Sequence, residues 1–417
     1  MMLFRLAWKS LRSRGVITGL TVFSIALSIL LLAGVDTLRN GARAGFAGTL
    51  SHTDLVVGAR GGDLPLVLST VFHIGSAANN MSWETYQHFA HHAAVAWTIP
   101  ISLGDSFHGY RVVATDENFY VHYQYRGGHA LAFASGHLPQ DVLQVALGAE
   151  VAKALKLRDG DKLTLAHGVE AHSILNHDAV PFTVSGVLQP TATPVDRALY
   201  ITLLGEEAMH FGWTDGTPPA LGEDVPKLDP SQLKVDQITA FLVGAKSRIS
   251  TLYLQREIAT YKPEPLTAAI PAYTLQQLWA LLDYADAALS LVAATVVVVG
   301  LFAMVAALYS ALHERRHEIA ILRAVGLHMR QVVLLFVMEA TLIAVAGCVA
   351  GLGMLYLLLF TLRSTIESAA GIPLLIAPPS PRVVLYLLGT VVGAALLGLL
   401  PAWRAYRNSL LDGLHAS

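Results

Sequence analysis

Charged residues are scarce in this chain. Of its 417 residues, 14% are charged and 54% are hydrophobic, whereas an ordinary soluble domain is about 25% charged. This deficit indicates a protein of the lipid bilayer. The single cysteine, Cys348, lies inside an apolar run, so disulfides cannot stabilise an external domain. The sequence also lacks a Lys/Arg-rich patch with interleaved aromatic residues, and we therefore expect no nucleic-acid partner.

Two motifs that are typical of enzymes are missing as well. The chain has no G-x-S-x-G nucleophile turn. It also has no G-x-x-x-x-G-K-[ST] loop, whose backbone N–H groups would cradle the phosphates of a nucleotide. We therefore expect no catalytic residues, no cofactor on this chain and no enzyme activity of its own.

Four long apolar runs dominate what is present. A helix that crosses the hydrocarbon core needs about 20 apolar residues, and the runs extend over Val16 to Val35, Ala287 to Leu312, Val332 to Leu362 and Val383 to Pro401. We predict four transmembrane helices and interpret the first as an uncleaved anchor, because it is longer than the about 7–15 residues of a signal-peptide core. The alternative is four buried helices of a large soluble protein.

Basic residues predict the orientation of these spans. They cluster before the first span, between the second and third, and after the fourth. By the positive-inside rule, both termini and the link 313–331 are cytoplasmic, as expected for a multi-pass protein of a bacterial inner membrane. The segment 36–286 and the short loop 363–382 are then extracytoplasmic, and the tail 402–417 is cytoplasmic.

Residues 1–15 form an amphipathic pattern in which apolar residues alternate with four cations. We predict a helix that lies on the cytoplasmic face against lipid head groups; the alternative is that these cations are only flanking charge. In the segment 36–286, short β-branched runs end at Gly, Asp or Pro and alternate with short helical patterns. The predicted fold is therefore an α-helical membrane protein with four transmembrane helices plus an α+β extracytoplasmic domain.

Glycines are paired four residues apart in two of the spans. Gly347 and Gly351 lie in the third, and Gly389 and Gly393 lie in the fourth. Such spacing lets helix backbones approach closely. We expect these four glycines to pack against neighbouring helices.

A charged and apolar pattern connects the second and third spans. The stretch HERRHEIAILRAVG runs from His313 to Gly326. Ile319 and Leu322 belong to its apolar face, Glu318 and Arg323 belong to its charged face, and Gly326 is a typical helix stop. We predict a short amphipathic helix whose two ends are fixed to membrane helices.

This stretch resembles the cytoplasmic coupling region of the MacB/FtsX/LolC permeases, also called type VII ABC transporter permeases, whose pattern is roughly ERxxEIAxLRAxGA. Glu339 and Ala340 continue the resemblance into the third span, and Pro401, Ala402 and Arg404 resemble the family's closing segment. A proline that usually follows is absent, with Ser409 near its place. The strand and helix patterns of the external segment are similar to the MacB-like periplasmic core domain, so the resemblance covers essentially the whole chain.

The resemblance implies a permease subunit that works by mechanotransmission. A separate ABC ATPase, acting as a dimer with ATP and Mg, would drive movements of the extracytoplasmic domain and thereby export or extract a substrate. The resemblance also implies a second permease chain, which would form a homodimer with the first, and contact with membrane lipids. A further partner would be either a periplasmic adaptor with an outer-membrane duct or a lipoprotein carrier. The expected ATPase contacts are Glu314, Arg315, Arg316, Glu318, Ile319, Leu322, Arg323 and Gly326.

Histidines leave two alternatives open. The chain has 17 of them, and His88, His91 and His92 have a spacing that could bind a metal on a helix. A metal-linked exporter is therefore one alternative, and a non-transporting membrane receptor or scaffold is the other. The simpler interpretation, which we prefer, is a surface rich in neutral polar residues and no metal site.

Overall fold

The computed structural model describes residues 2–75, 79–167, 180–211, 232–314, 328–370 and 378–414. The chain forms two compact units. The first, the membrane-helix unit, holds Met1–Gly41, Leu282–Thr365 and Leu374–Ser417, and the second, the α/β unit, holds Ala42–Leu281 and Ile366–Pro373.

Within the described ranges, four helices are long and apolar enough to cross a membrane. They follow a short helix, α1, and each contains one of the predicted spans. The bounds are Met2–Ser13 for α1, Gly15–Thr49 for α2, Pro271–Glu314 for α9, Met329–Ala370 for α10 and Pro381–Leu414 for α11. The helices form here because a helix places every backbone polar group of a long apolar run in an intrahelical hydrogen bond, as a bilayer requires.

The helices extend beyond the boundaries that the sequence predicted. The expected external segment 36–286 begins inside α2 and ends inside α9, while the expected loop 363–382 begins inside α10. The predicted tail 402–417 is helical as far as Leu414. The length of an apolar run reflects the thickness of the hydrocarbon core of the membrane. The helix itself can be longer, because it continues into polar residues that also favour helical structure.

Helices α2, α9, α10 and α11 share one apolar core in the membrane-helix unit. Ile25 and Ile29 from α2 meet Met304 and Leu308 from α9 there. Ile343 and Ala344 from α10 and Ala394 from α11 complete this core.

A mixed sheet of eleven strands forms the centre of the described α/β unit. The order of its main path is β15-β1-β14-β3-β4-β12-β8-β11-β7, with β10 on β3 and β9 on β11. The strands of this path are Leu266–Ala269 (β15), Leu55–Ala59 (β1), Ala240–Ala245 (β14), Val95–Phe107 (β3), Tyr110–Thr115 (β4), Ala198–Thr202 (β12), Gln144–Leu147 (β8), Phe182–Leu188 (β11) and Phe133–Gly136 (β7). The short strands are Met81–Ser82 (β2), Gln124–Tyr125 (β5), His129–Ala130 (β6), Lys162–Leu163 (β9), Ala166–His167 (β10) and Gln237–Ile238 (β13).

Apolar side chains cover both faces of this sheet. Along β1, Leu55 and Val57 enter one core and Val56 enters the other, as the alternation of a strand demands. Helices pack on each face, so the unit has three layers. They are Asp63–Phe72 (α3), Trp83–Ala90 (α4), Glu117–His122 (α5), Ala149–Leu155 (α6), Leu203–Met209 (α7) and Arg248–Ala259 (α8). The fold class predicted from the sequence is confirmed.

Candidate functional site

One of the eight predicted ATPase contacts lies among the described residues. Glu314 is the last residue of α9. The other seven predicted contacts lie outside the described residues; they are Arg315, Arg316, Glu318, Ile319, Leu322, Arg323 and Gly326. Their role stays a prediction.

The glycine pair of α10 lies against α2. A Cβ atom added to Gly347 would lie 2.6 Å from Cγ2 of Ile25, and one added to Gly351 would lie 2.6 Å from the backbone oxygen of Ala26. Since real Cβ atoms essentially never come this close, neither position accepts a side chain without movement of α2. The α2 and α10 backbones can approach only because these two residues are glycine.

The glycine pair of α11 has looser surroundings. A Cβ on Gly393 would lie 3.4 Å from Cδ1 of Leu301, and among the described residues nothing lies within 4 Å of a Cβ on Gly389. A third glycine of this helix is closer, because a Cβ on Gly398 would lie 2.9 Å from that of Ala340. The tight position of α11 is therefore one that its paired spacing did not indicate.

An ion-pair cluster joins three helices within the membrane-helix unit. The guanidinium of Arg39 in α2 lies 2.7 Å from a carboxylate oxygen of Asp283 and 3.0 Å from one of Asp286, both in α9. Asp286 also accepts a 3.2 Å hydrogen bond from Arg382 in α11. The Asp286 side chain is 13% exposed and that of Arg39 is 19% exposed, so water screens this pair weakly.

Asp36 extends the cluster by a second link between α2 and α11. Its carboxylate, which is 7% exposed, accepts hydrogen bonds from Ser380 Oγ at 2.6 Å and from Asn40 Nδ2 at 2.9 Å. Ser380 Oγ in turn accepts a hydrogen bond from the backbone N–H of Val383. The side chain that caps the first turn of α11 therefore also binds α2, which fixes the start of one membrane helix against another.

Removal of one member of this cluster leaves its partner poorly compensated. A half-buried carboxylate or guanidinium without its counter-charge is costly where little water can reach it. The cluster therefore holds α2, α9 and α11 in one arrangement at the end of their apolar runs, and a second arrangement would have to break several of these contacts together.

The ends of α2 and α9 meet again inside the α/β unit. The ring of Phe46 lies 4.5 Å from that of Phe72 in α3 and 5.6 Å from that of Trp279 in α9, measured between centroids. The guanidinium of Arg43 lies 5.4 Å from the Trp279 centroid. Together these four residues form the aromatic anchor, and the rings of Phe46, Phe72 and Trp279 pack in the core on one face of the sheet. Both helices are therefore fixed to the α/β unit by side chains within it.

The three candidate metal-binding histidines have separate neighbours. His88 stacks on Tyr261 at 5.3 Å, and Nδ1 of His91 lies 2.8 Å from the backbone oxygen of Gln87. His92 faces Glu257 at 3.4 Å. In the part of the chain that the structure describes, no group of three or more His, Cys, Asp or Glu residues could hold a metal ion.

Sequence reasoning missed the ion-pair cluster. Its signal was present, since Asp36, Asp286 and Arg382 each lie next to the end of an apolar run. Charges at such positions usually only mark the membrane boundary, and their pairing depends on how the helices pack.

Two family models match the chain. The MacB-like periplasmic core domain matches residues 18–257, which is more than half of the chain, and the FtsX-like permease C-terminal domain matches residues 290–410. The chain belongs to the MacB/FtsX family of ABC-transporter permeases. Among solved structures, the periplasmic region of MacB from Actinobacillus actinomycetemcomitans is similar at 12% identity and a TM-score of 0.34, over 55% of this chain and 94% of that one. The extracellular domain of the noncanonical ABC-type transporter YknZ from Gram-positive bacteria is similar at 11% identity and a TM-score of 0.30, over 52% and 98%. No curated protein matches.

The two matches divide the clusters of this MacB/FtsX permease, and Trp279, Asp283 and Asp286 lie between the two matched ranges. The aromatic anchor residues Arg43, Phe46 and Phe72 lie in the match to the periplasmic core domain, and Arg382 lies in the match to the permease domain. His313 to His317 also fit the H-E-x-x-H pattern of zinc proteases. These residues lie inside the match to the FtsX-like permease C-terminal domain, and residues 315–317 lie outside the described part of the chain.

Proposed function

We propose that this permease couples ATP hydrolysis on a separate ATPase chain to movement of its extracytoplasmic domain. The observation that supports this most is the tie between α2 and α9 through Arg39, Asp283 and Asp286. Both helices contribute residues to both units of the chain. Because a hydrogen-bonded helix resists bending, a displacement at one end of α9 is carried along it to the Trp279 end.

The cytoplasmic link between α9 and α10 is the proposed input. Glu314, Arg315, Arg316, Glu318 and Arg323 would contact the ATPase through their charges. Ile319 and Leu322 would form the apolar part of the contact, and Gly326 would end the coupling helix. In this proposal, a displacement of the link by the ATPase acts on α9, because the link follows Glu314, the last residue of that helix, directly in the chain.

The aromatic anchor is the proposed output. Phe46 and Trp279 pack on the same core as α3, so a change in the relation of α2 to α9 acts directly on the α/β unit. We propose that two permease chains pair in a bacterial inner membrane with both termini in the cytoplasm. The movement then exports or extracts a substrate at the extracytoplasmic side.

Charge reversal in the coupling region tests this proposal. The chain is purified with the ABC ATPase with which it co-purifies and is reconstituted into liposomes, and ATP hydrolysis is measured with and without the permease. We expect Glu318→Arg and Arg323→Glu to abolish the stimulation of hydrolysis by the permease while membrane insertion stays normal. Lys153→Glu, on the exposed side of α6, is the matched charge-reversal control and should keep full stimulation.

Two outcomes contradict the proposal. One is full stimulation of ATP hydrolysis by both charge-reversed variants, which would show that Glu318 and Arg323 do not contact the ATPase. The other is a chain that inserts and folds normally but associates with no ATPase, which would favour a receptor or scaffold.

A further inference from the structure

A cavity of about 380 Å³ opens on the α/β unit. Its position follows from the sheet, because β4 and β12 run parallel and in register as far as Thr115 and Thr202, where both strands end. Both threonines line the cavity. Crevices at the carboxyl ends of parallel strands are common ligand sites, since the chain must leave the sheet there and side chains from several elements converge.

The wall of this cavity is mainly apolar. Trp83, Ile201, Leu203 and Val235 line it, together with Leu204, which is 37% exposed. A volume of this size with aromatic and aliphatic walls is typical of sites for small organic molecules. It is suited to an apolar body rather than to a free inorganic ion.

The charged groups that line the cavity are all acidic. Asp116 and Glu117 line it, and none of the described lining residues is Lys, Arg or His. The Asp116 carboxylate accepts a 3.0 Å hydrogen bond from the backbone N–H of Asn118, so its position at the start of α5 is fixed. Burial raises the pKa of this carboxyl to about 6, which leaves it ionised at about pH 8.

A hydroxyl group at the same place has no partner. Tyr120 lines the cavity, and its Oη is buried without a hydrogen-bond partner among the described residues. Burial raises the pKa of this hydroxyl far above its ordinary value, so it keeps its proton. Because this oxygen has almost no exposed surface, it lies behind the wall of the open cavity, and the ligand proposed below is not held by it.

We propose that this cavity binds a small amphipathic organic cation, with its apolar body between Trp83 and Leu203 and its ammonium group beside Asp116 and Glu117. The carboxylates select the charge, and the apolar walls exclude simple metal cations. The proposal does not depend on ATP coupling, because it rests on the α/β unit alone.

Three phenyl compounds of similar size test the charge preference on the full chain in detergent. Saturation-transfer NMR at about pH 8 compares phenethylammonium, neutral 2-phenylethanol and anionic 3-phenylpropionate. We expect phenethylammonium to bind at least about tenfold more tightly than either of the others.

Matched variants locate the site. Asp116→Asn keeps an oxygen that can accept the Asn118 hydrogen bond, and Glu117→Gln preserves size, so both remove charge with little change of shape. Each should weaken phenethylammonium binding by about tenfold, whereas Glu84→Gln, an exposed carboxylate outside the cavity, should leave it unchanged. Leu204→Trp, which fills the half-open side, should reduce binding of phenethylammonium and 2-phenylethanol together.

Three results overturn the proposal. They are equal binding of the cationic and anionic compounds, binding that neither Asp116→Asn nor Glu117→Gln changes, and no binding of phenethylammonium to a folded chain at millimolar concentration.

Discussion

Arg39 and Asp286 lie 3.0 Å apart although 246 residues separate them in the chain. One belongs to the first membrane helix and the other to the second, and Asp286 also binds Arg382 from the fourth. A single carboxylate thus holds two guanidinium groups from two helices. If α2, α9 and α11 change their arrangement during a transport cycle, this carboxylate must release at least one of them.

Asp286→Ala should therefore destabilise the membrane-helix unit more than Asp283→Ala. Loss of Asp286 leaves two cations without their shared partner, and we expect a cost of about 2–4 kcal/mol. Asp283 is 49% exposed and lies 2.7 Å from the Arg39 guanidinium, so water screens this ion pair and its loss should cost less than about 1 kcal/mol. Thermal unfolding of the two purified variants in the same detergent compares them directly.

Stimulated ATP hydrolysis provides the second measurement on this pair. A variant that only weakens folding should recover normal stimulation at low temperature, whereas a broken mechanical tie should not. Equal unfolding temperatures for Asp283→Ala and Asp286→Ala would show that the Asp286 carboxylate contributes no more to stability than the Asp283 carboxylate.

Glycine substitutions should separate the two paired positions. Gly351→Ala places a methyl group 2.6 Å from the backbone oxygen of Ala26, which cannot move without a shift of α2, whereas Gly389→Ala meets nothing within 4 Å among the described residues. We expect Gly351→Ala to lower the thermal unfolding midpoint by several degrees, as about 1–3 kcal/mol of overpacking does. Gly389→Ala should leave it unchanged or raise it slightly, because alanine favours a helix. An equal decrease in both variants would contradict the close packing of α2 on α10.

The apolar runs predicted four helices because the bilayer makes length and composition decisive. They did not predict where α2 ends, since Thr49 lies far beyond the last residue of the apolar run. Residues 36–49 are polar enough to seem external, and the structure shows that they continue the helix of the first span.

Within the α/β unit, the sequence pattern did not predict the central strand β3. The 13-residue strand β3 contains Pro100 and Gly104, residues that argue against a central strand. The strand forms nevertheless, because it pairs with β14 on one side and β4 on the other. Arg39 and Asp286 illustrate a different limit: each charge is visible in the sequence, but their contact depends on tertiary structure.

Cysteine labelling should place the two predicted sides of the membrane. Cys348, the single cysteine, is buried, and Cys348→Ser provides a background without reactive thiols. In that background we expect a membrane-impermeant maleimide, added to sealed cells or spheroplasts, to label Lys153→Cys but not Arg330→Cys. Both positions are exposed in the structure, so disruption of the membrane should make both react. If Arg330→Cys and Lys153→Cys react from the same side, the cytoplasmic position of the coupling region is wrong.

Glu206 should make the stability of the α/β unit depend on pH. Burial raises the pKa of this carboxyl to about 8, nearby Asp105 and Glu207 add to the effect, and the hydrogen bond from Ser102 opposes it. Above its unfolded pKa of about 4.5 the unfolded chain releases the proton while the folded chain retains it, so stability falls with rising pH until about pH 8 and is constant beyond.

Glu206→Gln keeps the oxygen that accepts the Ser102 hydrogen bond and cannot ionise. We therefore expect its unfolding midpoint to exceed that of the original chain by a few degrees at about pH 8 and by much less at about pH 5. Glu84→Gln, at an exposed position, is the control and should show no such difference. If Glu206→Gln and the original chain lose the same stability between these two pH values, the Glu206 carboxyl is ionised in the folded chain and its burial has no effect on the pH dependence.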